Sequence, residues 1–323
     1  MTDVLVTGGT GFVGARLVER LVESGRAVRV LDSNFRGTTA RLAAVRDRVE
    51  LMEGDVRDAA AVRRATEGIT TVFHLAWING TSYFYSEPRL VLEVGVKGTL
   101  NVLDAAADLG VKEMIFASSS EVYQTPPVIP TPETVPLVVP DPSNPRYSYG
   151  GGKLLGELLM NFYASDKMRR VTFRPHNVYG PAMGWEHVIP QLLEKLWAAS
   201  DGLRRREATI TLQGSGAETR AFCYVDDAVE GILACAASGR DGEVYHVGVE
   251  DEIAIAPLAT LLGDALGLAV HVRPSPPAAG ATARRCPDTA KLRALGWAPR
   301  TSLRDGIART VAWYRAQLPE RTR

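Results

Sequence analysis

Two clusters of residues in this 323-residue chain have types and spacings suited to chemistry. In the first, glycines recur as G-x-x-G-x-x-G at Gly8, Gly11 and Gly14, within Thr7-Gly8-Gly9-Thr10-Gly11-Phe12-Val13-Gly14. Such glycines turn the chain sharply, let backbone approach a pyrophosphate, and let the following helix pack closely. In the second, Tyr149 and Lys153 stand four residues apart in Tyr147-Ser148-Tyr149-Gly150-Gly151-Gly152-Lys153. On a helix these two side chains share a face. The intervening glycines each cost a helix interior about 1 kcal/mol against alanine. A sequence that tolerates this is near a helix end or needs bare backbone beside something, and broken local rules of this kind mark sites.

The elements that position these residues follow from periodicity. The β-branched run Val4-Leu5-Val6 precedes the glycines and the amphipathic stretch Ala15–Val22 follows them, which reads as strand, tight turn, helix. The helix start offers free N–H groups and the positive end of its dipole to phosphate. Val28-Arg29-Val30-Leu31-Asp32 reads as the second strand. Its terminal Asp32 is placed to accept from an adenosine ribose 2′-OH, and its charge would repel a 2′-phosphate, so NAD is expected rather than NADP. Strand-like runs at 49–52, 71–76 and 113–117 then alternate with helical patterns at 38–45, 58–66 and 88–109. Repeated βα units predict an α/β fold with a doubly wound parallel (Rossmann) sheet. Ligands bind such sheets beyond the C-terminal strand ends, where Asp55, Leu75, Ala76 and Ser118-Ser119-Ser120 fall. Asp55 either caps the helix after it or holds an adenine amino group, and the two roles are compatible. His74 reads as a packed strand-end histidine.

Composition narrows the classes. Lys+Arg and Asp+Glu both number 37, so charge gives no support to nucleic-acid binding. No apolar run reaches membrane-spanning length, and a strand within four residues of the start leaves no room for a signal peptide, so a cytoplasmic protein is expected. The three cysteines, Cys223, Cys235 and Cys286, lack metal-type spacing and are expected to be reduced, with no metal site. Residues 121–147 are rich in proline, and so long a loop in a compact domain shapes a site.

In this order and spacing, the motifs resemble the extended short-chain dehydrogenase/reductase family, in particular its nucleotide-sugar epimerases and dehydratases. The matching pieces are the glycine turn, Asp32, Gly54-Asp55-Val56, His74-Leu75-Ala76, Gly98-Thr99-Leu100-Asn101, Ser118–Tyr123, Tyr149-x-x-x-Lys153, Arg174–Pro181 and Arg220–Asp227. The resemblance implies cofactor contacts from Gly8, Gly11, Phe12, Val13, Gly14, Asp32, Asp55, Val56, Leu75, Ala76, Tyr149, Lys153 and Pro175. It makes Tyr149 the general base and acid at a sugar hydroxyl, Ser119 its hydrogen-bond partner, and Lys153 the ligand of the nicotinamide ribose. A phenol near pKa 10 is a poor base at neutral pH, but an adjacent ammonium and a cationic nicotinamide favour phenolate.

Ser119-Ser120-Glu121 completes the implied catalytic set and bears on the outcome. Dehydratases of the family carry Asp-Glu where this chain has Ser120-Glu121, so the usual acid for the leaving C6 hydroxyl is missing. Ser-Glu matches UDP-glucuronate decarboxylases, and epimerases also show Glu here. Two further departures are Gly95, where the family often has Asn, and Phe84, where a substrate-contacting Ser is frequent. Tyr83-Phe84-Tyr85 form an aromatic wall beside the sugar in this reading.

The expected activity is that of an NAD-dependent 4-epimerase of a nucleotide-diphosphate sugar, such as UDP-glucuronate or UDP-glucose. The alternatives are decarboxylation or 4,6-dehydration, and, in a different class, a non-catalytic NAD-binding regulator. The expected division is an NAD-binding domain over 1–178, to which 223–248 returns, and a smaller substrate domain over 179–222 and 249–323. Substrate contacts are implied for Phe84, Ser119, Tyr149, Asn177, Val188, Arg220 and one of Arg284 or Arg285. Arginine suits pyrophosphate by its bidentate geometry. A homodimer through helices near 88–109 and 148–165 is also implied.

Overall fold

Side-chain alternation along the strands decides the architecture of the chain, whose computed structural model describes residues 2–276 and 282–321. In β1 (Val4–Thr7), Val4 and Val6 enter one hydrophobic cluster and Leu5 the opposite one. β5 (Glu113–Ala117) divides likewise, with Ile115 and Ala117 against Met114 and Phe116. A strand buried on both faces belongs in the middle of a covered parallel sheet.

With β2 (Val28–Asp32), β3 (Val49–Glu53), β4 (Thr71–His74), β6 (Arg169–Pro175) and the strand Glu243–Val247, these build a seven-stranded sheet. Its order is Glu243–Val247, β6, β5, β4, β1, β2, β3, and every neighbouring pair is parallel. The helix Phe12–Glu23 and the helix Val225–Ser238 cover one face through Leu17, Val18, Val229 and Ile232. Helices Ala59–Thr66, Gly98–Asp108 and Tyr147–Phe162 cover the other through Val62, Val102 and Met160. The strand order reverses between β1 and β4, and ligand crevices of such sheets open at this point.

The long segment 88–108 is helical throughout, but Glu93–Lys97 forms a π-helical turn between Pro88–Leu92 and Gly98–Asp108. Such turns are frequent at functional sites, and Gly95 lies in its middle. A third cluster joins helices Val188–Ala199, Ile255–Leu266 and Leu303–Arg321 to the parallel pair Glu207–Thr211 and Ala269–Arg273. The proline-rich segment is not free: Val135 packs on Val122 and Tyr123, and Thr131 N–H donates to Cys286 O at 2.9 Å. The cysteines are buried free thiols. Among the described residues, no helix is long and apolar enough to cross a membrane.

Candidate active site

The glycine turn after β1 is compact enough to exclude side chains. Gly8 has φ +74°, and a Cβ there would fall 2.7 Å from the Ala76 nitrogen. A Cβ on Gly14 would lie 2.1 Å from Gly8 O. Gly11 is the N-cap of helix Phe12–Glu23 and places no side chain on its first N–H groups, so these donors face the crevice. Asp32, at the end of β2, is aimed by two backbone donors: Thr10 N–H at 3.0 Å on one oxygen and Asn34 N–H at 2.8 Å on the other.

These groups line a cleft of about 440 Å³. Every residue that the sequence marks for the cofactor lies on its wall, from Gly8 and Asp32 through Leu75 and Ala76 to Tyr149, Lys153 and Pro175. A glycine-lined approach, free helix-start donors and an oriented carboxylate together fit an adenine dinucleotide. Asp55 needs a correction: Asp58, not Asp55, caps the helix Ala59–Thr66. Both Asp55 oxygens are instead held by Arg57, Oδ1 by its Nε at 3.1 Å and Oδ2 by its Nη2 at 2.7 Å, and this bonding keeps the carboxyl below its ordinary range. His74 is buried between Thr7 Oγ1 (2.7 Å) and Thr99 Oγ1 (3.0 Å), and burial lowers its pKa to about 3. It is a neutral packing residue.

Tyr149 and Lys153 line the cleft, and Ser119 meets the Tyr149 phenol behind its wall. Ser119 caps the short turn Ser120–Tyr123, accepting from Glu121 N–H at 3.1 Å, and also hydrogen-bonds the Tyr149 phenol. Tyr149 is stacked on Phe84 at 4.9 Å and met edge-on by Trp77 at 6.3 Å. Phe84 thus backs the phenol, while Tyr83 turns to Phe35 and Tyr85 is half exposed, so no continuous aromatic wall forms. Burial pushes the phenol above its usual range, with Ser119 opposing the shift and Glu121 adding to it. One helical turn on, Lys153 is buried, donates to Ala117 O, and holds its Nζ 3.8 Å from the centre of the Trp77 ring. Burial drives its pKa well down, and Glu157 opposes.

Glu121 has a partner that the sequence does not reveal. Arg285 Nη1 donates to its carboxylate at 2.5 Å. Burial acts to raise Glu121, but the charge and hydrogen bond of Arg285, helped by Arg146 and Arg220, hold it below the usual carboxylate range. Arg220 is fixed by Thr282 O and Thr219 O, each at 2.7 Å, and burial followed by the neighbouring Arg285 lowers it to about 10. Of the adjacent pair, Arg285 alone reaches this group. Arg284 points the other way to solvent and pairs with Glu252 at 2.6 Å, as successive residues of a strand must. Asn177, at φ +40°, donates to Ala221 O at 3.2 Å. Val188 opens its helix packed on the C-terminal cluster, and its neighbour His187 lines the cleft instead. Ser120 is buried beside Glu121.

Other contributors escape a sequence reading. Arg174 and Glu157 form a buried pair at 2.6 Å beneath the helix Tyr147–Phe162. Ser118 Oγ donates to Glu157, and Arg174 also reaches the Tyr123 hydroxyl. Arg36 spans the cleft mouth to Glu186 at 3.0 Å and lies over Tyr83. In the sequence, the signal for Trp77 is the glycine at position 95, whose missing side chain makes room for the indole.

Residues 4–248 match the model of the NAD dependent epimerase/dehydratase family. The chain is 32% identical to a UDP-glucose 4-epimerase of Mycolicibacterium smegmatis, covering 96% of this chain and 98% of that one. It is 31% identical to a UDP-N-acetyl-alpha-D-glucosaminuronate decarboxylase of Bacillus cytotoxicus, over 96% and 97% of the two chains. Among solved structures, it superposes with a TM-score of 0.84 and 31% identity on a double mutant of the dTDP-glucose 4,6-dehydratase DesIV from Streptomyces venezuelae, covering 97% of each chain, with NAD bound in that structure. With the cleft geometry, the family match and relatives that span the full length, the chain belongs to the NAD-dependent epimerase/dehydratase family of nucleotide-sugar enzymes.

Proposed function

We propose that the chain is a nucleotide-sugar 4-epimerase acting through a transient 4-keto sugar, on a UDP-sugar such as UDP-glucose or UDP-glucuronate. When bound, NAD supplies two-electron oxidation of a carbinol carbon and its reversal. The glycine turn, the first N–H groups of helix Phe12–Glu23 and Asp32 would hold it. Tyr149 takes the proton of the sugar O4 and later returns it, while Ser119 hydrogen-bonds the same hydroxyl. Lys153, kept charged, lowers the cost of the phenolate, and the positive charge that NAD would bring would lower it further. Rotation of the keto sugar between the two steps inverts C4. Proton and electron pair are both restored, so the product is an isomer.

The observation that carries epimerisation over its rivals is the state of Glu121. Dehydration needs a base at C5 and an acid at the departing oxygen. A carboxylate held on Arg285 below its ordinary pKa is a weak base, and Ser120 offers no carboxylic acid beside it. Decarboxylation is the second reading, favoured by Arg146, Arg220 and Arg285 gathered around that carboxylate, where a sugar carboxylate would find guanidinium partners. A homodimer is part of the proposal: Leu92, Leu155, Leu158, Phe162 and Tyr163 are exposed on the helices at 88–108 and 147–162, with Phe162 84% exposed. Exposed apolar side chains gathered on two neighbouring helices suit an interface.

The test is product analysis by NMR and mass spectrometry over UDP-glucose, UDP-N-acetylglucosamine, UDP-glucuronate, and GDP- and dTDP-sugars. A product of unchanged mass with altered H4 coupling supports the proposal. Loss of carbon dioxide or water overturns it in favour of the decarboxylase or dehydratase. Tyr149→Phe should abolish turnover and leave NAD binding in place; unchanged turnover would refute the acid–base role.

A further inference from the structure

Gly95 and Trp77 are fitted to each other. A Cβ on Gly95 would stand 2.1 Å from Trp77 Cζ2 and 2.2 Å from Cε2, the carbon that carries the indole nitrogen. Gly152, on the catalytic helix, leaves room on another side, with a would-be Cβ 3.1 Å from Cζ2. The indole therefore fills the space that any side chain at 95 would need. Its Nε1 is closed off from solvent and has no hydrogen-bond partner among the described residues, so the indole acts here through its face and its volume. The ring lines the same cleft as Tyr149 and Lys153, meets Tyr149 edge-on at an interplanar angle of 87°, and lies under the Lys153 ammonium.

We propose that Trp77 is a positioning residue of the active site: its ring seats the Lys153 ammonium, and the missing side chain of Gly95 is what makes room for that ring. The proposal rests on the reading of Lys153 as a ligand of the cofactor but not on which sugar is turned over. A ring face attracts a cation, the more so when water is excluded, so the indole favours the charged form of a lysine that burial would discharge. Charged and titratable groups facing Lys153 are Tyr149 and Glu157 on its own helix and His74 on β4; Glu121 in turn faces Tyr149. In the NAD-free protein His74 and Tyr149 are neutral, so the charge is held by Glu157, the Ala117 carbonyl and two ring faces, of which the indole at 3.8 Å is nearer than Phe116 at 5.1 Å.

The experiment is NAD affinity measured calorimetrically as a function of pH, with no sugar present, for the wild type, Trp77→Phe, Trp77→Leu and Gly95→Ala. Affinity should fall as pH rises through the Lys153 pKa and the ammonium is lost. Trp77→Leu should move that fall to lower pH by about half a unit to one unit. Trp77→Phe keeps an aromatic face for the ammonium, so the fall should stay near its wild-type pH. Gly95→Ala, which displaces the indole while leaving it in the chain, should reproduce the Leu shift and serves if Trp77→Leu does not fold. A pH midpoint unmoved in both Trp77→Leu and Gly95→Ala, or one moved as far in Trp77→Phe as in Trp77→Leu, would reduce Trp77 to a space filler. Failure of epimerisation itself would appear in wild-type products and leaves these binding curves untouched.

Discussion

Replacing Glu121 by Gln separates the proposed epimerase from its rivals in one variant. The carboxylate and Arg285 are 2.5 Å apart, with side chains 27% and 12% exposed, so the pair sits between two regimes. Exposed pairs contribute about 0–1 kcal/mol, and removing one partner of a buried pair costs about 3–5 kcal/mol. Gln keeps an acceptor for Arg285, which places the expected loss of stability at about 1–2 kcal/mol at neutral pH. The sign with pH follows from the lowered pKa. The stabilisation is present above the unfolded value near 4.5 and is lost as pH falls through the lower folded value. Wild type and variant should therefore converge in urea titrations at strongly acid pH and diverge above it. On the rate, a general base contributes about 10²- to 10⁴-fold. An epimerase that uses Tyr149 at O4 should keep turnover within about tenfold after Glu121→Gln. The assay is initial-rate NMR on the substrate identified by the product panel, with urea unfolding in parallel. A loss of more than about a hundredfold in a variant of near-wild-type stability would refute the reasoning and make Glu121 the proton-transfer group.

Gly14→Ala should weaken NAD binding by at least about tenfold, because its Cβ would stand 2.1 Å from Gly8 O and the turn must give way; calorimetry reads it, and unchanged affinity would contradict the tight turn. Glu157→Ala should cost about 3–5 kcal/mol in chemical denaturation by stranding the buried Arg174 guanidinium, whereas a loss under about 1 kcal/mol would mean that water reaches the pair. Phe162→Asp, on the exposed face of the catalytic helix, should yield monomers in size-exclusion chromatography with light scattering; a wild type that is already monomeric would remove the dimer from the proposal.

The fold was legible because the sheet announces itself residue by residue. Repeated βα units predict a parallel sheet, and the unbroken apolar run Val4-Leu5-Val6 suits a strand covered on both faces. The glycine turn and Asp32 were legible for a similar reason: their chemistry is local, completed within one βαβ unit. What stayed hidden depends on distant chain segments. Glu121 and Arg285 are 164 residues apart, and nothing in either neighbourhood distinguishes Arg285 from Arg284 until the strand sets which one faces inward. Asp55 and Asp58 are both plausible caps by residue type, and only the backbone geometry at 58 decides. Trp77 was masked because its clue is an absence, the missing side chain of Gly95.

The helix that carries Tyr149 and Lys153 also holds Gly150, Gly151, Gly152 and Gly156, a composition that would not stay helical by itself. Its order is borrowed from below: Glu157 is clamped by Arg174 of β6, Lys153 by Ala117 of β5, and a Cβ on Gly156 would fall 2.5 Å from the Phe116 ring. A peptide of residues 147–162 should therefore be largely unstructured in water. In the intact protein, the amides of this helix should exchange with deuterium only when the central sheet opens, as one cooperative unit with β5 and β6. The acid–base pair is then as durable as the core of the protein, and no local fraying can remove it from register.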